Sequence, residues 1–451
     1  MNFCDLPDEL VLKIFSYLPQ RYLPAIAEVS YRWRQLAFDP LLWTEVTITP
    51  RGPTSAEHIT EILERAFLLR KLDVSRSVVD LDEVALASHR FGLLNEFVIP
   101  STALTHRAMA RILKSCESVT TVVLRGRGML LENQVTVLET LSSLKSLLVC
   151  HKLEVCDYVF AEVCLACPGL EQLKINSDSV FESRTWSFLR CLPKLTILSV
   201  TKLTTDALLQ VSKCANLESL KTHSLWNVDE MLTARALQGF AKLKSLKVKG
   251  YWTSDWFNSR FCMPTSLQCL DVSGAPIGKP ELELVVRSCR VSLQDLTIDI
   301  RKMANSTLSA LSAFENIESI CIYGVCGDHS ILPMLCKFPK LVRAKLHVED
   351  GAVGIIFQLR SIVDVSETSP RGSTRAIINL ICSSQASHDD MGYALGIFKN
   401  FLALHTNLSR EHICDLEKQI NCPKGEPQRA VNTSFSVQSK TLKNMVLHLF
   451  D

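Results

Sequence analysis

One apolar motif recurs along most of this chain of 451 residues. It reads Leu-x-x-Leu-x-Leu, with other apolar residues at some of the three sites, and successive copies begin 22 to 26 residues apart. A unit of this size cannot bury its own apolar face, so neighbouring copies must stack on one another. The copies begin at Trp43, Leu69, Leu94, Val119, Leu144, Leu170, Leu195, Leu217, Leu243, Leu267, Leu293, Ile317 and Leu341.

The motif and its period resemble those of leucine-rich repeats. The resemblance implies an α/β fold, a horseshoe-shaped solenoid with a parallel sheet on its concave face and helices outside. Apolar residues at helical spacing between the motif copies, such as Met109, Ile112 and Leu113, favour those outer helices. Several of these segments end in a cysteine, which resembles the cysteine-containing subtype of the repeat. We predict a leucine-rich-repeat solenoid of about 13 repeats over residues 44–350.

The motif lapses after residue 350. Apolar runs at Ile377–Cys382, Leu395–Leu404 and Ile413–Ile420 predict helices in the remaining segment. An open repeat end leaves core and strand edge exposed, so we predict that residues 351–451 form a C-terminal capping region. A separate partner-binding domain is the alternative.

Residues 1–43 carry a different pattern, that of three short helices. Pro7 suits the first position of a helix, and two acidic residues follow it where the helix dipole favours carboxylates. Leu10, Ile14 and Leu18 recur every four residues and predict an apolar stripe. A segment of about forty residues cannot bury three apolar helix faces against each other. Some of that apolar surface is therefore expected to face a partner.

This N-terminal run resembles the F-box, through Leu-Pro-Asp-Glu-Leu at 6–10, the Val29/Trp33 pair and Leu-Leu-Trp at 41–43. The resemblance implies a small helical domain that docks onto a Skp-type adaptor and thereby joins a cullin–RING ubiquitin ligase. Ser30 departs from the Cys common at that place in the family. The adaptor-binding or helical-core positions carried over are Leu6, Pro7, Leu10, Ile14, Leu18, Leu23, Val29 and Trp33. The alternative is an ordinary three-helix cap of a larger domain.

Composition argues against several classes of partner. The net charge of +2 gives no global electrostatic case for binding nucleic acid or a membrane. No window approaches the run of about 20 apolar residues that a membrane span needs, and the N-terminus lacks the regions of a signal peptide. The 17 cysteines are therefore expected to be reduced and buried as small apolar side chains. We expect a cytoplasmic or nuclear protein.

No motif in the chain predicts catalysis or a metal centre. The segment 274–280 is one residue short of a phosphate-binding loop and has Pro where Ser or Thr belongs, so we expect an ordinary turn. Cys164 and Cys167 have no second cysteine pair at zinc-ribbon spacing. The His and Cys residues within 412–422 lack an evident fourth ligand. Signatures of a nucleophile with its base are also missing from the sequence.

Function is therefore expected on surfaces of the solenoid. The second and third apolar sites of each motif copy, positions 4 and 6, point inward, so positions 3, 5 and 7 face the concave side. Large aromatic residues also occupy one loop that leaves a strand. The predicted target-binding residues are Lys174, Lys221, His223, Lys247, Lys249, Tyr251, Trp252, Asp271, Asp295 and Asp299. The alternative is a solvated charged face without a binding role.

Together these features predict a non-catalytic substrate-recognition subunit of a cullin–RING ubiquitin ligase. The N-terminal helices would bind the Skp-type adaptor, and the solenoid would bind an unknown protein target. We expect no cofactor, no metal and no nucleic-acid or membrane partner. The alternative is a non-degradative scaffold or regulator that binds partners without delivering them for ubiquitination. A solenoid that inhibits an enzyme or regulates a GTPase is a third reading.

Overall fold

The computed structural model divides the chain into two compact units, Met1–Leu217 (unit 1) and Glu218–Asp451 (unit 2), which are described separately. The residues it describes are 6–48, 62–76, 84, 88, 91–100, 107–132, 135, 138–139, 141–150, 152–176, 180–226, 229–249, 263–301, 303, 308–326, 331–335, 337–350, 377–382 and 434–438.

Three short helices open unit 1, as the sequence predicts. The same segment contains two 3₁₀ turns, one before the second helix and one after the third. The second helix accommodates a proline in its first turn, where the missing N–H has no intrahelical partner to lose. The helices are α1 (Asp8–Phe15), α2 (Leu23–Ala27) and α3 (Tyr31–Ala37).

The remainder of unit 1 is built on a sheet of seven parallel strands, and two further short strands pair beside it. The seven strands, in their order across the sheet, are β1 (Glu45–Thr47), β2 (Lys71–Asp73), β3 (Glu96–Pro100), β4 (Thr121–Arg125), β6 (Ser146–Val149), β8 (Gln172–Ile175) and β9 (Ile197–Thr204). The two-stranded pair is β5 (Gly128–Met129) with β7 (Leu153–Glu154).

The register of the unit 1 strands stacks the motif in layers. Every strand of the seven begins two residues after the first site of a predicted motif copy, so position 4 of each copy aligns with position 4 of the next. Every residue of this aligned row is buried, which confirms the inward direction predicted for position 4. The row consists of Val46, Leu72, Phe97, Val122, Leu147, Leu173 and Leu198.

Helical segments connect several of the unit 1 strands and cover the apolar row. Ile112 and Leu113, predicted from their spacing to lie on a helix, are buried in the first of these helices. The connecting segments are α4 (Arg107–Ser115), α5 (Asp157–Ala166) and a 3₁₀ helix (Thr185–Cys191), and a further helix, α6 (Thr205–Val211), follows the last strand of unit 1.

Unit 2 repeats this construction with seven parallel strands and one antiparallel strand at the end. They are β10 (Ser219–Trp226), β11 (Ser245–Val248), β12 (Cys269–Pro276), β13 (Asp295–Asp299), β14 (Ser319–Cys326), β15 (Arg343–Asp350), β16 (Ile377–Cys382) and the antiparallel β17 (Ser434–Gln438). Position 4 is again an aligned, buried row: Leu220, Leu246, Leu270, Leu296, Ile320 and Ala344.

The connections in unit 2 include three helices, α7 (Glu230–Gly239), α8 (Lys279–Cys289) and α9 (Ile331–Leu335). The segment 274–280 completes β12 and starts α8, with Gly278 as its N-cap, so it is a strand-to-helix turn as predicted. A 3₁₀ helix at Ser309–Ala313 lies between β13 and β14. The predicted fold class is confirmed, because short helices precede parallel strands that are joined by helical segments.

Polar side chains just before the motif tie neighbouring copies together. Ser118 Oγ donates to the carbonyl of Leu94, and Ser266 Oγ donates to that of Leu243, at 2.7 and 2.8 Å. Asn216 Nδ2 bonds to Pro193 in the same way. These bonds satisfy carbonyl groups that the strand ladder leaves open near the entry to these copies.

One prediction for the C-terminal region is wrong. Residues 377–382, predicted as a helix, form strand β16, which pairs parallel to β15. The short run Ile-Ile-Asn-Leu-Ile-Cys is rich in β-branched residues, and a short apolar run does not distinguish strand from helix by period alone. Segments 395–404 and 413–420 lie outside the described residues. The capping role of 351–451 and the boundaries at 43/44 and 350/351 stay predictions.

Candidate functional surfaces

The first helix buries one side and leaves an apolar stripe exposed on another. Val11 and Phe15 are buried against the other helices. Leu10 and Ile14 keep 51% and 37% of their surface exposed, and Leu18, in the turn that follows the helix, keeps 36%. The sequence predicted the exposed stripe but not the buried pair, although the spacing of four between Val11 and Phe15 is a helical signal of the same kind.

Two contacts hold α1 against α3. The Arg32 guanidinium pairs with the Asp8 carboxylate at 2.7 Å and also donates to the carbonyl of Leu6. The ring of Trp33 meets that of Phe15 edge-on, with centroids 5.6 Å apart. These contacts fix the direction of the exposed stripe relative to α3.

Trp43 links the helical segment to the first strand of unit 1. Its indole Nε1 donates to the carbonyl of Ala37 at 2.7 Å, and its ring stacks on Phe38 with centroids 6.2 Å apart. The guanidinium group of Arg65 lies over the Phe38 ring, 5.6 Å from its centre. The Trp43 side chain is fully buried, so the hydrogen bond from its indole N–H satisfies the one polar group that it brings into the core.

The polar face of unit 2, defined as positions 3, 5 and 7 of the copies on β10 to β15, gathers charged residues on neighbouring strands. Lys221 is in register with Lys247, and Lys247 is in register with Asp271. Lys249 Nζ lies 3.7 Å from Asp271 Oδ2. Asp295 follows on the next strand and is half-buried. Several of the target-binding residues predicted from the sequence are therefore neighbours on this face.

Two of the predicted acidic residues differ from the expectation of an open surface. Asp271 is buried, and its Oδ1 accepts from the Ser273 hydroxyl at 2.7 Å. Asp299 is 1% exposed and is held by the Arg301 guanidinium, including a bond from Nε to Oδ2 at 2.9 Å. Position in the motif alone does not predict burial, because a longer side chain pairs with each carboxylate: Lys249 of the neighbouring copy with Asp271, and Arg301, two residues further along the chain, with Asp299. Asp299 offers a partner no exposed carboxylate.

The other predicted target-binding residues are dispersed. His223 follows Lys221 on β10 and is exposed. Lys174, on β8, is half-buried and belongs to unit 1. Tyr251 and Trp252 lie outside the described residues.

An aromatic pair that the target-site prediction missed lies on the same polar face. Tyr323 on β14 and His347 on β15 stack with ring centroids 4.0 Å apart and planes 13° apart. Burial, followed by the nearby Lys345 ammonium, lowers the pKa of His347 to about 4, so the imidazole is neutral at pH 7. Both residues sit at position 7 of adjacent copies, which is the sequence signal that they lie on the same face, but that position does not specify that their rings stack.

The described cysteines form no disulfide and no metal cluster. Burial raises the pKa of the Cys116 and Cys167 thiols to about 12 and that of Cys214 to about 11, so these thiols are protonated at pH 7. Within the described ranges, no group of three or more His, Cys, Asp or Glu side chains is arranged to hold a metal ion. Of the helices in that part of the chain, none is long and apolar enough to cross a membrane.

A family model described as F-box-like matches residues 3–49. Those residues are an F-box-like domain. F-box/LRR-repeat protein 12 of Bos taurus is 47% identical to this chain over 48 residues, which are 11% of this chain and 15% of that protein.

The similarity also extends beyond the F-box-like domain. F-box/LRR-repeat protein 5 of Bos taurus is 26% identical over 366 residues, which are 76% of this chain and 47% of that protein. The chain is thus homologous to F-box/LRR-repeat proteins, and it spans about half the length of this relative. Among solved structures, the yeast complex of Rad7 and Elc1 contains a similar chain at 15% identity and a TM-score of 0.46, covering 75% of this chain and 88% of that one.

Ser30, which departs from the Cys common at that place in the F-box family, has a structural role in this domain. This residue is the N-cap of α3, and its hydroxyl accepts from the backbone N–H of Trp33 at 3.1 Å. Serine is among the strongest N-cap residues, so the change of residue type favours the helix.

Five further predicted adaptor-binding residues can be placed in the F-box-like domain. Leu23 is fully buried, so it is a core residue and has no free surface to offer an adaptor. Trp33 is half-buried, whereas Val29 is exposed. Pro7 is the N-cap of α1 and is exposed, and the preceding Leu6 is half-buried.

Proposed function

We propose that this chain is the substrate-recognition subunit of an SCF-type cullin–RING ubiquitin ligase. The observation that carries the proposal is the F-box-like domain with its exposed apolar stripe at Leu10, Ile14 and Leu18. Homology to F-box/LRR-repeat proteins supports the same role. A cytoplasmic or nuclear location follows from this role.

In this proposal the stripe docks a Skp-type adaptor. Val29, on the turn before α3, is more exposed than any residue of the stripe and would enlarge the contact. Leu6, Pro7 and Trp33 would complete it. Exposed apolar surface of this kind is what an interface core buries, and truncating a residue at the centre of such a core costs about 2 kcal/mol or more.

The subunit would perform no chemistry itself. The polar face of unit 2 would bind a target protein, and the adaptor would connect that target to the cullin and RING protein. Holding both together raises the effective concentration of a target lysine near the ubiquitin-charged enzyme. Lys221, Lys247 and Lys249 remain our proposed contacts for the target, with Tyr251 and Trp252, which follow them in the sequence.

The adaptor arm of the proposal is tested with the double variant Leu6→Ala/Pro7→Ala. Expressed in cells as the full chain, it should lose co-purification with the Skp-type adaptor, because two adjacent contacts are truncated. Its thermal unfolding should resemble that of the wild type, since neither side chain is fully buried. Undiminished adaptor recovery would contradict the assignment.

The ligase arm is tested by turnover of a protein bound to the chain. Inhibiting cullin activation should lengthen the half-life of that protein, and the double variant should have the same effect. A protein that binds the chain but turns over at the same rate in every condition would favour the non-degradative scaffold instead.

A further inference from the structure

The polar face of unit 2 carries two separate basic clusters. The first cluster is Lys247 and Lys249, at positions 5 and 7 on β11 and just beyond it. The second is Arg343 and Lys345, at positions 3 and 5 on β15. Lys249 is partly neutralised by Asp271, whereas Lys247, Arg343 and Lys345 form no ion pair with any described residue. Each cluster thus keeps positive charge available for a partner.

The strand order sets the distance between the clusters. Strands β11 and β15 are four steps apart in the sheet, and adjacent strands lie about 4.8 Å apart, so the position 5 lysines are separated by roughly 19 Å. An extended chain advances about 3.3–3.6 Å per residue, so about five or six residues span this distance. A single extended segment lying across the strands can therefore reach both clusters.

The surface between the clusters has a different character. Asp271 is buried and engaged by Ser273 and Lys249, while Asp295 keeps a half-buried carboxylate at position 3 of β13. Thr297 and Cys321 occupy position 5 between the two lysines. Carboxylates of a partner are thus favoured at either end of this path and repelled by Asp295 at its middle.

We propose that the polar face of unit 2 recognises an acidic segment in extended conformation, with acidic groups about five or six residues apart and uncharged residues between them. One end pairs with Lys247 and Lys249, and the other with Arg343 and Lys345. This rests on the proposed function, in which the same face binds the target. The Tyr323–His347 stack lies beside the second cluster and offers an apolar contact to a residue near that end.

The proposal is tested with fluorescein-labelled synthetic peptides and the purified full chain. Each peptide carries two Glu-Glu pairs joined by a Gly/Ser spacer, and the separation of the pairs is varied from about two to about ten residues. Fluorescence polarisation should show the tightest binding at about five or six residues, roughly tenfold tighter than a peptide with one pair. Placing a third Glu pair at the centre should weaken binding, and raising the salt should weaken every peptide.

Charge reversal locates the binding. Arg343→Glu/Lys345→Glu should reduce binding of the best peptide by about tenfold and remove its preference for spacing. The matched control is Lys279→Glu/Lys337→Glu, which reverses two exposed lysines of unit 2 in helix α8 and in the turn after α9. This control should leave peptide binding unchanged, and circular dichroism melts should show all variants folded.

Three results would overturn the proposal: affinity independent of spacing, equal loss in the control variant, or no peptide binding at low salt. The assay contains no adaptor, cullin or target, so its failure with cullin-dependent turnover intact would reject the acidic segment alone. Peptide binding with no adaptor association would instead retain the segment and reject the ligase role.

Discussion

The inward and outward directions of the motif make a quantitative prediction at two adjacent residues. Leu246 is fully buried at position 4 of β11, in register with Leu220 and Leu270 on either side. Replacing it by Ala removes buried methyl groups and leaves a cavity that the flanking strands hold open, at a cost of about 3 kcal/mol. For a unit of this size, 1 kcal/mol corresponds to about 2–4 °C, so we expect Tm to fall by roughly 6–12 °C.

The assay is thermal and urea unfolding of the full chain followed by circular dichroism. Lys247→Gln is the matched control, because Lys247 is the next residue and points to the polar face. It should change the free energy of unfolding by less than about 1 kcal/mol. Leu246→Asp should be worse than Leu246→Ala, since it buries an unpaired charge among stacked copies. Equal effects at the two positions would refute the assigned directions.

Three other changes test separate parts of the structure. Ser30→Ala should destabilise the N-terminal helices by about 1 kcal/mol, and Ser30→Asp should not, because aspartate also caps a helix; calorimetry that shows no difference would reject the cap. Gly324 has φ of +73°, and a Cβ there would lie 3.1 Å from the backbone N of Arg301, so Gly324→Ala should lower Tm while Gly92→Ala, with open space around it, should not. The pKa of His347 is lowered to about 4 from 6.5, so the unfolded chain binds the proton more tightly and stability should decline as the pH falls from about 6.5 to about 4. In urea titrations His347→Gln should lose less stability over that range, and an identical decline would exclude His347 as its source.

The sequence was most informative where a pattern is repeated or anchored by several residues. Each motif copy supplies the same three apolar sites, and the burial of the aligned rows from Val46 to Ala344 follows from that period. The F-box-like domain was predictable because the apolar stripe at Leu10, Ile14 and Leu18 has no partner within three short helices. Both inferences use local spacing, which the sequence contains directly.

Sequence reasoning did less well where the outcome depends on neighbours across the sheet. Asp271 was expected on an open surface, yet it is buried and lies 3.7 Å from Nζ of Lys249 in the neighbouring copy. Residues 377–382 form a strand rather than a helix, because their backbone groups pair with those of β15. The Tyr323–His347 stack arises only once two copies lie side by side. Spacing along the chain does not specify such contacts.

The most direct test of the proposed role is calorimetric titration of the purified chain with a Skp-type adaptor. Leu10 and Leu165 are both 51% exposed, the first on the stripe of the F-box-like domain and the second in helix α5 of the repeats. Leu10→Glu should abolish measurable binding, because it places a charge at the centre of an apolar interface. Leu165→Glu should bind the adaptor as the wild type does. Failure of the wild type to bind, or equal affinity of both variants, would contradict the proposal that this chain is an adaptor-linked receptor.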